Sequence, residues 1–100
     1  MTYRDHPVTD HRSVVVDDTQ LVDVREPAEY ASGTLDGAVN IPLGDLTERI
    51  GDLDANRRVV LLCRSGNRSS RAARHLVDAG FDDVVNLAGG VMAYTQEEQP

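Results

Sequence analysis

Apolar residues fall along this chain in short clusters whose spacing alternates between the periods that strands and helices require. Residues 13–16 (SVVV) and 20–24 (QLVDV) are β-branched runs separated by the turn-like cluster 17–19, and both read as strands. Residues 26–32 (EPAEYAS) predict a short helix, with Pro27 in the first turn and Gly33 just past the end. Residues 38–41 make a brief apolar strand closed by Pro42. Between 43 and 53, Leu46, Ile50 and Leu53 are spaced four and three apart, which places them on one face of a second helix.

Residues 58–62 carry Val59, Val60, Leu61 and Leu62 in succession, an unbroken apolar run that fits a central parallel strand buried on both faces. Cys63 stands at its C-terminal end, followed by the polar stretch 64–69 with Gly66 inside it. Residues 70–80 (SRAARHLVDAG) predict a helix with Ala72, Ala73, Leu76 and Val77 inward and Gly80 closing it. One more strand is expected over 83–87, and Gly89 and Gly90 break the chain before a short segment at 91–96. Strands alternating with helices predict an α/β fold with a mainly parallel sheet of about five strands and helices on both faces, a three-layer α/β/α arrangement.

At 100 residues the chain fits one compact domain, expected over 1–100, and with it one site. Its 40% hydrophobic and 27% charged composition suits a soluble globular protein rather than a disordered one. The sequence has no stretch near the roughly 20 apolar residues a membrane span needs, and residues 1–10 lack a secretory h-region, so the cytoplasm is the expected location. The net charge of -7 argues against a general affinity for nucleic acid or an anionic membrane. Charge is unevenly placed, however. All ten basic residues are arginines, and Arg64, Arg68, Arg71 and Arg74 follow Cys63 within eleven residues. Such a segment suits a small anionic ligand, or equally a solvated helix face.

One cysteine cannot form an internal disulfide, so Cys63 is either a small buried core residue or a reactive thiol. Its position favours chemistry, because ligands of open parallel sheets bind beyond the carboxyl ends of the strands. The run Cys63, Arg64, Ser65, Gly66, Asn67, Arg68 can curl so that successive backbone N–H groups point into one concavity, with Gly66 relieving the curvature. A helix starting near Ser69 adds its positive end. Together they favour thiolate over thiol. One Cys and three scattered His show no metal-ligand spacing, and no organic cofactor motif is present.

The run 63–69 (CRSGNRS) with Arg71, Ala72 and Ala73 resembles the active-site loop of rhodanese-like sulfurtransferases. The likeness extends to Asp23-Val24-Arg25-Glu26 with Glu29-Tyr30, to residues 37–42 (GAVNIP), and to Gly80-Phe81, Val84, Leu87 and Gly89-Gly90, so that it covers residues 21–94 in four ordered blocks. The resemblance implies a ping-pong thiosulfate sulfurtransferase without a cofactor. Cys63 would take sulfane sulfur from a thiosulfate-like donor as a persulfide and pass it to cyanide or to a thiol such as thioredoxin or glutathione. It further implies that the backbone of Arg64, Ser65, Gly66, Asn67, Arg68 and Ser69 cradles the sulfur, and that the Arg64 and Arg68 side chains hold the donor's sulfonate. Asp23 and Arg25 would lock the sheet end, with Arg71 as a partner for Asp23. No general base is needed, and His6, His11 and His75 read as surface residues.

The family pattern is departed from at Thr34, Asp36 and Tyr94, and near the N-terminus, where residues 13–16 are expected to pair as a hairpin strand. Two rivals remain. A phosphatase or arsenate reductase of related fold needs five residues between cysteine and arginine, whereas four separate Cys63 from Arg68 and Ser69 stands at the required position. A non-catalytic interaction module would ordinarily lack the cysteine that is present here.

Overall fold

The computed structural model describes residues 2–98, so residues 1, 99 and 100 of the domain expected over 1–100 lie outside the described residues. Five strands, β1 (Arg4–Pro7), β2 (Gln20–Asp23), β3 (Val39–Asn40), β4 (Val59–Leu62) and β5 (Val84–Ala88), form one sheet in the order β1-β5-β4-β2-β3. Every neighbouring pair is parallel. Four α-helices complete the fold: α1 (Pro27–Ala31), α2 (Leu46–Arg49), α3 (Asn67–Asp78) and α4 (Gly90–Glu98). Among the described residues no helix is long and apolar enough to cross a membrane.

The unbroken apolar run of β4 is explained by its place in the middle of the sheet, where all four residues are fully buried. Alternate side chains enter opposite cores. Val59, Leu61 and Cys63 join Val22, Val24 and Val84 beneath α3, which contributes Ala72, Ala73 and Leu76. Val60 and Leu62 join Leu21, Val85 and Leu87 on the other face, covered by Val8, Val14, Leu35, Tyr30 of α1 and Val91 and Tyr94 of α4. The three-layer α/β/α architecture expected from the sequence is the one observed.

Four local expectations need correction. Residues 13–16 form no strand: a 3₁₀ turn over Val8–Ser13 runs into them, Val14 is buried and Val16 is exposed. A hairpin with 20–24 has no place in the sheet, since β4 and β3 flank β2 on its two sides; the first strand is instead β1, whose polar RDHP sequence pairs along β5 from Arg4 opposite Val85 to Pro7 opposite Ala88. The helix expected over 43–53 is broken into a 3₁₀ turn (Leu43–Asp45), the single turn of α2 and a second 3₁₀ turn (Ile50–Asp52). The spacing still buries Leu46 and half-buries Ile50 and Leu53, but Gly44 and Gly51 at the two ends give a continuous helix little support. The strand expected over 38–41 is only the two residues of β3. Finally, α3 starts at Asn67 rather than 70, because Gly66 at φ +104° caps it in a left-handed conformation. This last shift draws the loop after Cys63 tight against the helix.

Candidate active site

The parallel sheet ends at β4 with Leu62, and Cys63 follows at once with only 1% of its surface exposed. The chain then turns back on itself. Gly66 N–H donates to Cys63 Sγ at 3.0 Å, and Ser69 Oγ lies 3.3 Å from the same sulfur. Burial pushes the Cys63 thiol up, but the Ser69 hydroxyl and the backbone N–H groups of Ser69, Gly66 and Ser65 outweigh it and hold the thiol below its ordinary range. The loop therefore stabilises a sulfur anion by hydrogen bonds in a site that water hardly reaches.

Of these donors, the Ser65 N–H is fixed through the other end of its own peptide unit, the Arg64 carbonyl. Val91 N–H donates to the Cys63 carbonyl and Met92 N–H to the Arg64 carbonyl, each at 2.9 Å, so the first turn of α4 ties down the outward-facing oxygens. Gly90 makes this approach possible. Its φ is +59°, and a Cβ there would stand 2.4 Å from the Cys63 carbonyl oxygen and 2.5 Å from the Arg64 carbonyl carbon and oxygen. In the sequence Gly89 and Gly90 stand as chain breakers and as part of the family likeness; the close approach to a loop distant in sequence gives no local signal.

The arginines after Cys63 have separate surroundings. Arg68 is held by Glu29 of α1 in a two-pronged ion pair at 2.7 and 2.9 Å, and this guanidinium is the first cause of a Glu29 carboxyl lowered to about 2. Glu29 Oε1 also accepts from Glu26 N–H at 3.0 Å, so one carboxylate caps α1 and tethers the loop. Arg64 is exposed and has no ion pair among the described residues; it borders a groove of about 370 Å³ shared with Arg25, Glu29, Val91 and Met92. Arg71 is also exposed. It lies with Arg68 and His75 along a cleft of about 500 Å³ floored by Val24, Leu43 and Leu46. That cleft opens beside the end of β2, where Val24 N–H meets the Leu62 carbonyl at 2.9 Å, next to the start of the cysteine loop. His75, expected on the surface, is half-buried with its Nε2 3.2 Å from the Thr47 hydroxyl.

The pairing of Arg71 with Asp23 is not observed. Asp23 is instead bound by Arg25, whose Nε and Nη2 donate to its carboxylate at 2.8 to 3.1 Å, with both side chains buried. Two residues apart across the end of a strand, they can meet without help from the helix. Arg25 also donates to the Gly33 carbonyl at 2.6 Å, and Thr34 Oγ1 donates to Asp23 at 2.9 Å, so the residue that departs from the family pattern satisfies the carboxylate. Asn40 of β3 donates to the Asp23 and Arg25 carbonyls, both at 2.9 Å. The sheet end is locked, as expected of Asp23 and Arg25, though by different partners. Asn86 was missed altogether. It accepts a short bond from Ser69 and donates to Asp5 at 2.9 Å, and its polarity inside the otherwise apolar run VVNLA of β5 was the available signal.

Comparison with known proteins agrees with this geometry. A model of the rhodanese-like domain matches residues 11–97. The putative sulfurtransferase YtwF of Bacillus subtilis is 42% identical over 80 residues, which are 80% of this chain and 77% of the relative. The thiosulfate sulfurtransferase GlpE of Shewanella oneidensis is 40% identical over 75 residues, 75% of this chain and 74% of the relative. Among solved structures, a rhodanese-related protein from Thermoplasma volcanium superimposes with a TM-score of 0.86 at 30% identity, covering 98% of this chain and 96% of the other. With an all-parallel five-stranded sheet, a cysteine cradled at the end of its central strand and these matches along most of its length, the chain belongs to the rhodanese-like domain family.

Proposed function

We propose that this chain is a sulfurtransferase that carries sulfane sulfur on Cys63 and takes it from thiosulfate or a similar anion. The observation that carries the reading is the Cys63 sulfur itself, nearly excluded from water yet bonded by Gly66 N–H and close to the Ser69 hydroxyl. A buried structural thiol has no use for such donors, whereas an anionic sulfur needs them. The names of the relatives support sulfur transfer, and that of one supports thiosulfate as donor.

In the first half-reaction the Cys63 thiolate attacks the outer sulfur of thiosulfate. A Cys63–sulfur bond forms, the sulfur–sulfonate bond breaks, and sulfite departs with the bonding pair. The thiolate's charge leaves with sulfite, and the outer sulfur keeps the negative charge it had in thiosulfate, where backbone N–H groups of residues 64–69 receive it. Cyanide or a thiolate acceptor then attacks that outer sulfur, and Cys63 leaves as the thiolate it was. No proton changes hands when both reactants are anions, so no base is required. Arg64 and Arg68 are the residues for the sulfonate. Arg64 is the freer of the two, since Arg68 already engages Glu29 with two donors. A cytoplasmic location and a low-molecular-weight or thioredoxin-like thiol acceptor belong to the same proposal.

Intact mass after incubation with thiosulfate, without reductant, tests it. The wild type should gain one sulfur atom that cyanide removes, and Cys63→Ala should gain none. No gain from thiosulfate or any other sulfane donor refutes sulfur transfer and leaves an interaction module as the better account.

A further inference from the structure

Four side chains form one hydrogen-bonded line from the sheet edge to the sulfur. Asp5 of β1 accepts from Asn86 Nδ2 at 2.9 Å, Asn86 Oδ1 of β5 meets Ser69 Oγ of α3 in a short bond, and Ser69 Oγ lies 3.3 Å from Cys63 Sγ. Ser69 and Asn86 are both buried.

Chemistry fixes the direction of this line. A carboxylate only accepts, so the Asn86 amide must turn its NH2 toward Asp5. The same NH2 is 3.4 Å from the Gly66 carbonyl, a second acceptor. The Asn86 carbonyl is therefore held toward Ser69, where it too can only accept. Ser69 has a single hydroxyl proton, which can serve Asn86 or the cysteine sulfur but not both.

The three states of Cys63 resolve this competition differently. As a thiol, its S–H can donate to Ser69 while Ser69 donates to Asn86. As a thiolate, it draws the hydroxyl proton to itself, and the buried Asn86 carbonyl loses its donor. As a persulfide, it carries the charge on the outer sulfur, about 2 Å further out. Sγ is then a neutral bridging atom, and the proton can return to Asn86.

We propose that the Ser69 hydroxyl is a one-proton switch contested by Cys63 and Asn86, and that Asn86, oriented by Asp5, is a positioning residue that favours the thiol and the sulfur-loaded form over the free thiolate. The preference for the loaded form rests on the reading of Cys63 as a sulfur carrier; the switch itself does not. Charged groups on the surrounding elements are Asp5 on β1, the Asp23–Arg25 pair after β2, Glu26, Glu29 of α1 with Arg68 of α3, and Arg64 of the loop. α4 adds none among its described side chains. Substituting Asn86 leaves every one of these charges in place.

The pH profile of Cys63 alkylation, recorded on reduced and sulfur-free protein, reads the thiolate without any sulfur transfer, and the chain's single cysteine makes the signal unambiguous. Asn86→Leu keeps the volume and removes the competing carbonyl. Its alkylation midpoint should fall by about one pH unit, roughly tenfold more thiolate at a pH below the midpoint. At a fixed ratio of thiosulfate to sulfite and a pH above both midpoints, where free Cys63 is thiolate, its loaded-to-free ratio should fall about tenfold as well. Ser69→Ala should raise the midpoint, and Ser69→Ala with Asn86→Leu should titrate like Ser69→Ala alone.

Asp5→Ala, at an exposed position, is the alternative if Asn86→Leu does not fold. It should lower the midpoint more with Ser69 present than with Ser69→Ala, where only the lost charge acts. A midpoint in Asn86→Leu that is unmoved or higher, or shifts of equal size with and without Ser69, overturns the switch. If the wild type takes up no sulfur, the carrier reading falls and the preference for the loaded form falls with it, whatever the titration shows.

Discussion

Substituting Gly90 by alanine tests whether α4 shapes the cysteine loop from outside. Two costs are separable. The first is conformational: at φ +59° an alanine is held in the left-handed region at about 1–2 kcal/mol. The second is steric. The added Cβ would stand 2.4 Å from the Cys63 carbonyl oxygen, and reaching even a tight 3.4 Å contact means moving backbone by about 1 Å. Neither neighbour can yield by rotating a side chain, since the atoms met are all backbone.

A displacement of that size breaks the Val91 and Met92 bonds to the loop carbonyls, at about 1 kcal/mol each. The total is on the order of 3–4 kcal/mol, which in urea is a midpoint shift of more than about 1 M for a domain of this size. Gly37→Ala is the matched control. Gly37 has φ +85° but nothing within 4 Å of an added Cβ, so it should lose only the conformational part, about 1–2 kcal/mol. Once the Arg64 carbonyl is released, its peptide unit can turn the Ser65 N–H away from Sγ, and the alkylation midpoint of Cys63 should rise in Gly90→Ala and stay put in Gly37→Ala. Equal urea midpoints for the two variants, with unchanged Cys63 titration in both, would refute the reasoning.

Further expectations follow from the ion pairs and the proposed donor site. The Glu29 carboxyl, lowered from its ordinary 4.5 to about 2 by Arg68 before other causes, contributes stability that is fully present above pH 4.5 and lost as pH falls from there to about 2. Because about a third of each partner reaches solvent, the contribution is about 1 kcal/mol at most. Thermal or urea unfolding should therefore show Glu29→Gln weaker than wild type at pH 7, with the gap closing near pH 2; a gap that persists there refutes the pairing as its cause. Arg25→Ala leaves the buried Asp23 carboxylate without its main partner and should cost about 3–5 kcal/mol, whereas Arg71→Ala, exposed and without an ion pair among the described residues, should cost under about 0.5 kcal/mol. Equal losses would restore Arg71 as a partner of Asp23. Arg64→Ala should raise KM for thiosulfate several-fold and leave uptake from an uncharged sulfane donor unchanged, as steady-state kinetics with the two donors will show.

The parts of the site that were legible in the sequence are those written locally. Four apolar residues in succession can be a central strand, and a cysteine at the end of such a strand followed by a glycine-bearing polar loop and a helix defines a cradle. Those features stand as read, with Gly66 bonded to the sulfur. Arg68 shows the limit. Its side-chain type and spacing suggested an anion holder, yet Glu29, 39 residues earlier, already takes two of its donors. No local pattern announces a partner brought in by the packing of α1 against the loop.

Legible in the sequence were the sheet's central strands, the inward face of α3 and the position of Cys63, because burial shapes the apolar pattern that each segment carries alone; the second core, closed by Val8, Val14 and Leu35, was not. Tertiary structure decided the rest. RDHP became a strand while SVVV did not, because the hairpin expected of residues 13–16 needs a place beside β2, where β4 and β3 already lie on the two sides, whereas the outer edge of β5 was open to residues 4–7. Asn86, Asp5 and Gly90 entered the site for the same kind of reason. Hydrogen bonds and close backbone approaches join whichever groups the sheet order makes neighbours, and that order, β1 beside β5 beside β4, is a property of the whole assembled chain and of no single stretch within it.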